Sequence, residues 1–284
     1  MRTRSNSIRQ KRSLDFPTFF GLTIAVGGIL GGLILEGGKL SDVSQLTAAM
    51  IVVGGTAGAV MVTTPFSTLR AAMGALPSIF FDNVDQVNSV IEEILVLATK
   101  ARKGGLVSLE SDALEIGDPF LKKALLLVVD GSDLQDVRRI MQLELELIER
   151  RGEAEAKVFE AAGGFSPTIG IIGAVLGLIQ VMKHLEDMEA VGHGIAVAFV
   201  ATVYGVALAN LLLLPAGHKL KARLHKTLEL KDLMLEGTLA IAEGLNPKLI
   251  SIKLDAYRSG SDKIENGRKG RVEPITTARS AHIA

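Results

Sequence analysis

The sequence predicts an all-α membrane protein, with four transmembrane helices plus a cytoplasmic helical domain. Three observations carry this. Four runs, at about 16–35, 46–64, 161–182 and 195–216, hold no charged residue, and each is long enough to cross a bilayer as a helix. Hydrophobic residues make up 48% of the chain, and its 30 glycines are spread through the apolar runs, a composition foreign to most soluble enzymes. Basic residues gather before the first run and after the fourth, while the loops 36–45 and 183–194 are net acidic. By the positive-inside rule both termini and the long segment between the second and third runs are then cytoplasmic.

In chain order, residues 1–15 form a basic N-terminus in which Arg2, Arg4, Arg9, Lys11 and Arg12 precede the first acid, Asp15. The run that follows is long and no A-x-A site ends it, so it reads as an uncleaved first span rather than a signal peptide. Gly27, Gly28, Gly31 and Gly32 give it a small-residue face, as Gly54 and Gly58 do in the second span, which Pro65 and Arg70 close. Residues 65–160 have the character of a soluble helical domain. Val87 to Lys103 shows helical spacing ended by Gly104-Gly105, and Asp118-Pro119 opens a helix that ends near Asp130-Gly131. Ser132 and Gln135 fit a capping box. With no proline before Pro167, a helix from near Asp133 can run unbroken into the third span, making 161–216 the second membrane pair. Within 217–250, Leu224 to Glu243 reads as a cytoplasmic C-terminal helix ended by Gly244 and Pro247. Residues 251–284 turn polar and aperiodic, and a disordered tail is expected there.

Several functions are excluded early. Lys plus Arg and Asp plus Glu each total 31, which gives no reason to expect nucleic acid as a partner. Without cysteine there is no disulfide, thiolate nucleophile or zinc–thiolate site. The five histidines have no metal-ligand spacing, and no G-x-S-x-G, P-loop or G-x-G-x-x-G motif is present. Neither an enzyme nor a resident cofactor or metal is expected. The spans contain no Asp, Glu, Lys, Arg or His, whereas ion relays through membranes normally use an ionisable group. Either a partner subunit supplies a carboxylate, or the spans only anchor the cytoplasmic part.

Two places could carry function. In the third span Gly170, Gly173, Ala174 and Gly177 form overlapping small-xxx-small pairs, and in the fourth Ala201, Gly205 and Ala209 recur every four residues beside Thr202. These faces are expected to be helix-packing contacts between copies of the chain. Pro167 removes a helical hydrogen bond and crowds the Gly163 carbonyl, with Ser166 and Thr168 adjacent. That pattern is either a packing kink or a polar path. In the cytoplasmic segment Arg102 and Glu110 bracket Lys103-Gly104-Gly105-Leu106; read alone, they are solvated charges.

Three stretches resemble a known family: DPFLKKALLLVVDGSDLQDVRRIM, FEAAGGFSPTIGIIGAVLGLIQVM and GIAVAFVATVYGVALANLLLLP are similar to the flagellar stator A subunits, the MotA/PomA family, related to ExbB and TolQ. The resemblance covers roughly residues 16–250 in the family's order. It implies a ring-shaped homo-oligomer of five A subunits around a dimer of B-type subunits, each B subunit bringing one span and an intramembrane Asp. It further implies a multi-pass protein of the bacterial inner membrane, in contact with lipid, whose ring turns as ions pass and engages a rotor protein of the flagellar switch complex. The family's functional prolines match Pro167 and Pro215, and its fourth-span threonine matches Thr202. Its rotor-facing charges match Arg102 and Glu110, with Lys103 adding a second positive charge. Sodium-using members tend to carry a threonine where this chain has Ala174, so the transported ion is expected to be a proton, with Pro167, Thr168 and Thr202 on its path. Two alternatives remain beside this reading. One is an ExbB/TolQ-like energiser of an outer-membrane process, which would lack the first two spans; the other is a non-conducting scaffold.

Overall fold

The computed structural model describes residues 12–83 and 86–269, with side chains over 15–80 and 86–258. In chain order the elements are β1 (Arg12–Leu14), α1 (Phe16–Leu35), α2 (Leu46–Ala49), α3 (Gly55–Thr63), α4 (Phe66–Ala75), β2 (Phe81–Asn83), α5 (Gln86–Gly104), α6 (Glu110–Glu115), α7 (Pro119–Val129), α8 (Leu134–Lys183), α9 (Met188–Ala207), α10 (Leu214–Ala242) and α11 (Pro247–Lys269). A π-helical turn, Met50–Gly54, joins α2 to α3, and another, Leu208–Leu213, joins α9 to α10. Among the described residues, four helical stretches are long and apolar enough to cross a membrane: Phe16–Leu35, Leu40–Thr63, Leu134–Lys183 and Met188–Ala242. The described residues divide into two compact units, one formed by 12–83 and 144–228 and the other by 86–143 and 229–269.

In the unit that carries the spans, α1 begins where Asp15 accepts from the Thr18 N–H at 3.4 Å, with Pro17 in the first turn, where its missing N–H costs nothing. Asp15 is buried, and a buried carboxylate needs counter-charge. Lys219 of α10 donates to it and to the Thr18 hydroxyl, and Arg223 lies 3.9 Å away while also donating to the Ile79 carbonyl at 3.3 Å. The Asp15 N–H bonds to the Phe80 carbonyl at 3.0 Å, and Phe19 stacks on Phe80 with ring centroids 5.3 Å apart. Here the backbone forms a two-stranded antiparallel sheet, with Ser13 opposite Asp82, an addition to the all-helical expectation. No residue of α1 is buried, and its glycine row meets nothing within 4 Å. The core of this unit lies elsewhere, where Val60, Ala72 and Ile79 pack with Ala156, Phe159 and Leu220.

The second unit is built from short amphipathic helices. Gly105, at φ +77°, ends α5, a conformation that costs other residues a strained backbone. Asp118 caps α7 by accepting from Phe120 at 2.8 Å and Leu121 at 3.2 Å. The cap of α8 is Asp133, whose carboxylate takes the Gln135 N–H at 2.8 Å, one residue later than the Ser132 cap expected. From there α8 runs unbroken through Pro167 to Lys183, and α9, the π turn and α10 are continuous, so the separate helix expected from Leu224 is the extension of the fourth span. The larger difference is α11, where disorder was expected beyond residue 250. Asn246 accepts from the Lys248 N–H at 3.1 Å, Pro247 starts the helix, and Ile250 and Leu254, one turn apart, are fully buried. The part of that expected tail after Lys269, and the first eleven residues of the basic N-terminus, lie outside the described residues.

Glu93, half-buried on α5, has its carboxyl pushed above the ordinary 4.5, first by burial and then by the charge of Asp118. The folded state therefore holds this proton more tightly than the unfolded chain does, and stability falls as pH climbs from 4.5 through the raised value. Glu93→Gln is expected to raise the melting temperature at neutral pH and to change little below about pH 4, where both side chains are neutral. Thermal unfolding of the detergent-solubilised protein at the two pH values checks this; an unchanged or lower value at neutral pH contradicts it.

Candidate functional site

In the span-bearing unit the chemistry of interest gathers where α8 crosses α9. Gly170 and Gly205 are opposed, and neither has room for a methyl group. A Cβ on Gly205 would sit 2.6 Å from the Ser166 carbonyl oxygen and 3.2 Å from the Pro167 Cα; one on Gly170 would sit 2.9 Å from the Ala201 carbonyl oxygen. Further along, Gly177 opposes Gly194 and Ala198, and Gly173 faces Ala201. The small-residue faces that were expected to join separate copies of the chain thus join the third and fourth spans of one chain. Close approach needs no side-chain entropy and brings backbone against backbone, which is how helices adhere in lipid.

Hydroxyl groups decorate this seam. Ser166, fully buried, donates to the Gly205 carbonyl at 2.9 Å, a cross-helix bond that only the glycine gap permits. Thr168 donates to the Phe165 carbonyl at 2.7 Å and Thr202 to the Ala198 carbonyl at 3.2 Å, each on its own helix. A hydroxyl that has spent its proton on a backbone carbonyl keeps its lone pairs as acceptors, so both threonines offer oxygen rather than hydrogen to whatever approaches. Thr168 is exposed and Thr202 half-buried. Ala174, half-buried, offers no such oxygen.

Pro167, Gly170, Thr202 and Gly205 are therefore brought together, the Thr202 Cα lying 3.5 Å from the point where a Gly170 Cβ would be. Pro215 is not with them. It follows the π turn Leu208–Leu213, and its neighbour Leu214 packs on Gly163, one turn before Pro167. A proline cannot supply the N–H that the Leu211 carbonyl would take in an α-helix, and a π turn directly ahead absorbs that misfit. Tyr204 was not anticipated: its hydroxyl donates to the Val43 carbonyl and accepts from the Gln45 N–H at 3.3 Å, pinning the approach to α2 onto α9. Below it Ala48 and Val52 pack against Val200 and Ala201.

The second candidate set lies in the other unit. Arg102 and Lys103 occupy the last turn of α5, and Glu110 is the first residue of α6. All three are exposed, and among the described residues none enters an ion pair. What fixes the turn between them is their neighbours. Lys100 pairs with Asp112 at 2.5 Å, Ser108 donates to the Gly105 carbonyl at 2.7 Å, and Leu109 is fully buried. Among the described residues no cluster of His, Asp and Glu is placed to hold a metal ion.

Comparison with known proteins follows the same pattern. Residues 112–232 match the MotA/TolQ/ExbB proton channel family, and residues 19–105 match the N-terminal region of motility protein A. Motility protein A of Bacillus subtilis is 32% identical over 92% of this chain and 97% of its own length. The chemotaxis protein PomA of Vibrio alginolyticus is 31% identical over 86% of this chain and 95% of its own. Among solved structures, the C. jejuni MotAB structure superposes with a TM-score of 0.81 at 34% identity, covering 86% of this chain and 96% of that one.

The glycine seam yields a measurable contrast. Gly205→Ala forces a methyl against backbone and is expected to destabilise the protein by about 1–3 kcal/mol, whereas Gly164→Ala, with nothing within 4 Å, is expected to be neutral or slightly stabilising. Melting temperatures of the two purified variants decide; equal losses for both would remove the seam from the account.

Proposed function

The chain belongs to the MotA/TolQ/ExbB proton channel family, in its motility protein A branch, and we propose that it is the A-type stator subunit of a flagellar motor, forming an ion channel with a B subunit and converting ion flow into rotor rotation. One observation carries the mechanism: α8 and α9 meet at a seam of glycines and backbone-bonded hydroxyls, in spans that have no ionisable side chain. Such a seam offers acceptor oxygens but cannot take up and release a proton. The titrating group then belongs to the B-type partner, as an Asp on its span; that such a partner exists is supported by the likeness to two-component MotAB structures. Five copies of the chain surround the B dimer in the inner membrane, with both termini in the cytoplasm.

The transported ion is a proton. Sodium binding needs several oxygens at short range. The seam presents the threonine hydroxyls, and Ala174 adds none. A proton or hydronium needs only a carboxylate and a hydrogen-bonded path. Arg102, Lys103 and Glu110, exposed on the second unit, are held available for complementary charges on the rotor, where they set registry rather than stability.

Expressed with its B subunit in a strain lacking both, the chain is expected to restore swimming. Speed should collapse with a protonophore and persist when external sodium is exchanged for potassium. Speed that follows external sodium at constant pH overturns the proton assignment, and no conductance in the presence of the B subunit favours the scaffold. For the rotor-facing charges, the double reversal Arg102→Glu with Glu110→Lys is expected to abolish or sharply slow swimming at normal expression and assembly. Normal motility of that variant against an unaltered rotor removes them from the interface.

A further inference from the structure

Contacts from α10 and α11 hold α5. On α10, Gly237 lies flat against α5, where a Cβ would fall 2.6 Å from the Ile94 Cδ1. Ile94 precedes Arg102 by eight residues, about 12 Å along the helix. Glu236, the residue before Gly237, stands between two cations from two other helices: Arg138 of α8 at 2.6 Å and Lys253 of α11 at 2.6 Å. Its side chain is only 17% exposed. Burial alone would raise its carboxyl pKa, but the bonds to Lys253 and Arg138 outweigh this and hold it below the ordinary carboxylate value. Two further bonds run from α11: the Tyr257 hydroxyl donates to Asp232 of α10 at 2.6 Å, and Arg258 donates to Asn88 in the first turn of α5 at 2.7 Å. With Ile250 and Leu254 fully buried, α11 is a fixed part of this unit and not an appendage.

We propose that Glu236 is a positioning residue for the rotor-facing charges: by joining α8, α10 and α11 it fixes the pose of α5 and hence the direction in which Arg102 and Lys103 point. This rests on the stator reading. A carboxylate shared by two cations on different helices is satisfied in one mutual arrangement of the three, so its removal loosens geometry. The pairs are partly exposed and contribute modestly to stability, whereas a charge that must meet a partner in register tolerates little displacement.

The test uses the full chain with its B subunit. If the unaltered chain restores no swimming, the stator reading falls and this inference with it; if it swims, the variants alone decide. Glu236→Gln is expected to assemble and, with the B subunit, to conduct like the unaltered chain, while swimming torque falls by about twofold or more. Glu236→Asp, which keeps the charge, is expected to recover part of the loss, and Lys253→Gln, which breaks one pair, to lose less. In a background carrying both Arg102→Ala and Lys103→Ala, Glu236→Gln is expected to add little further loss, because the charges it positions are gone. Unchanged torque in Glu236→Gln overturns the proposal. So does conductance that falls in step with torque, or losses that multiply in the combined variant.

Discussion

Everything on the membrane side depends on the approach of two backbones at Gly170 and Gly205. In lipid there is no hydrophobic force between apolar helices, so adhesion comes from close packing and from polar groups that find one another. The glycines supply the first, and the Ser166 bond to the Gly205 carbonyl, possible only at this separation, supplies the second. Pro167 sits in the same turn, so the proline, the serine and the glycine contact are one construction. The threonines flank it with their protons already committed to backbone.

This arrangement divides labour between chains. Spans that carry an ionisable group bear a cost that rises toward the bilayer centre. This chain avoids that cost entirely and is specialised for packing, with small residues, π turns and hydroxyls tied to their own helices. On the proposed reading the protonatable group is left to the B-type partner. A similar division holds in the second unit, where Arg102, Lys103 and Glu110 are unencumbered while Lys100, Asp112 and Glu236 hold the scaffold.

What the sequence disclosed follows from what is local. The four spans were legible because an apolar run and its flanking charges state the membrane crossing directly. The α7 cap and the stop of α5 were legible because Asp-Pro and Gly-Gly are short-range signals. The glycine rows announced that some backbone comes close but not which one, and the answer was the next span of the same chain rather than another copy. Asp15 with Lys219, Ser166 with Gly205, and Arg138 with Glu236 are separated by tens to hundreds of residues, and no periodicity marks such partners. The last helix was missed because its buried positions, Ile250 and Leu254, are few among polar neighbours, and its stability comes from packing that a local pattern does not contain.

The clasp at Asp15 has a consequence for how the protein meets bilayers of different thickness. α1 is fastened at its start, where Asp15 meets Lys219 and Arg223, and none of its residues is buried further along. A rod hinged at one end answers a thinner or thicker hydrocarbon layer by leaning, at a cost of fractions of a kcal/mol per ångström of mismatch. The α8–α9 seam, riveted at several glycines, has no such freedom. Changes in lipid composition are thereby absorbed by α1, and the α8–α9 seam keeps its dimensions.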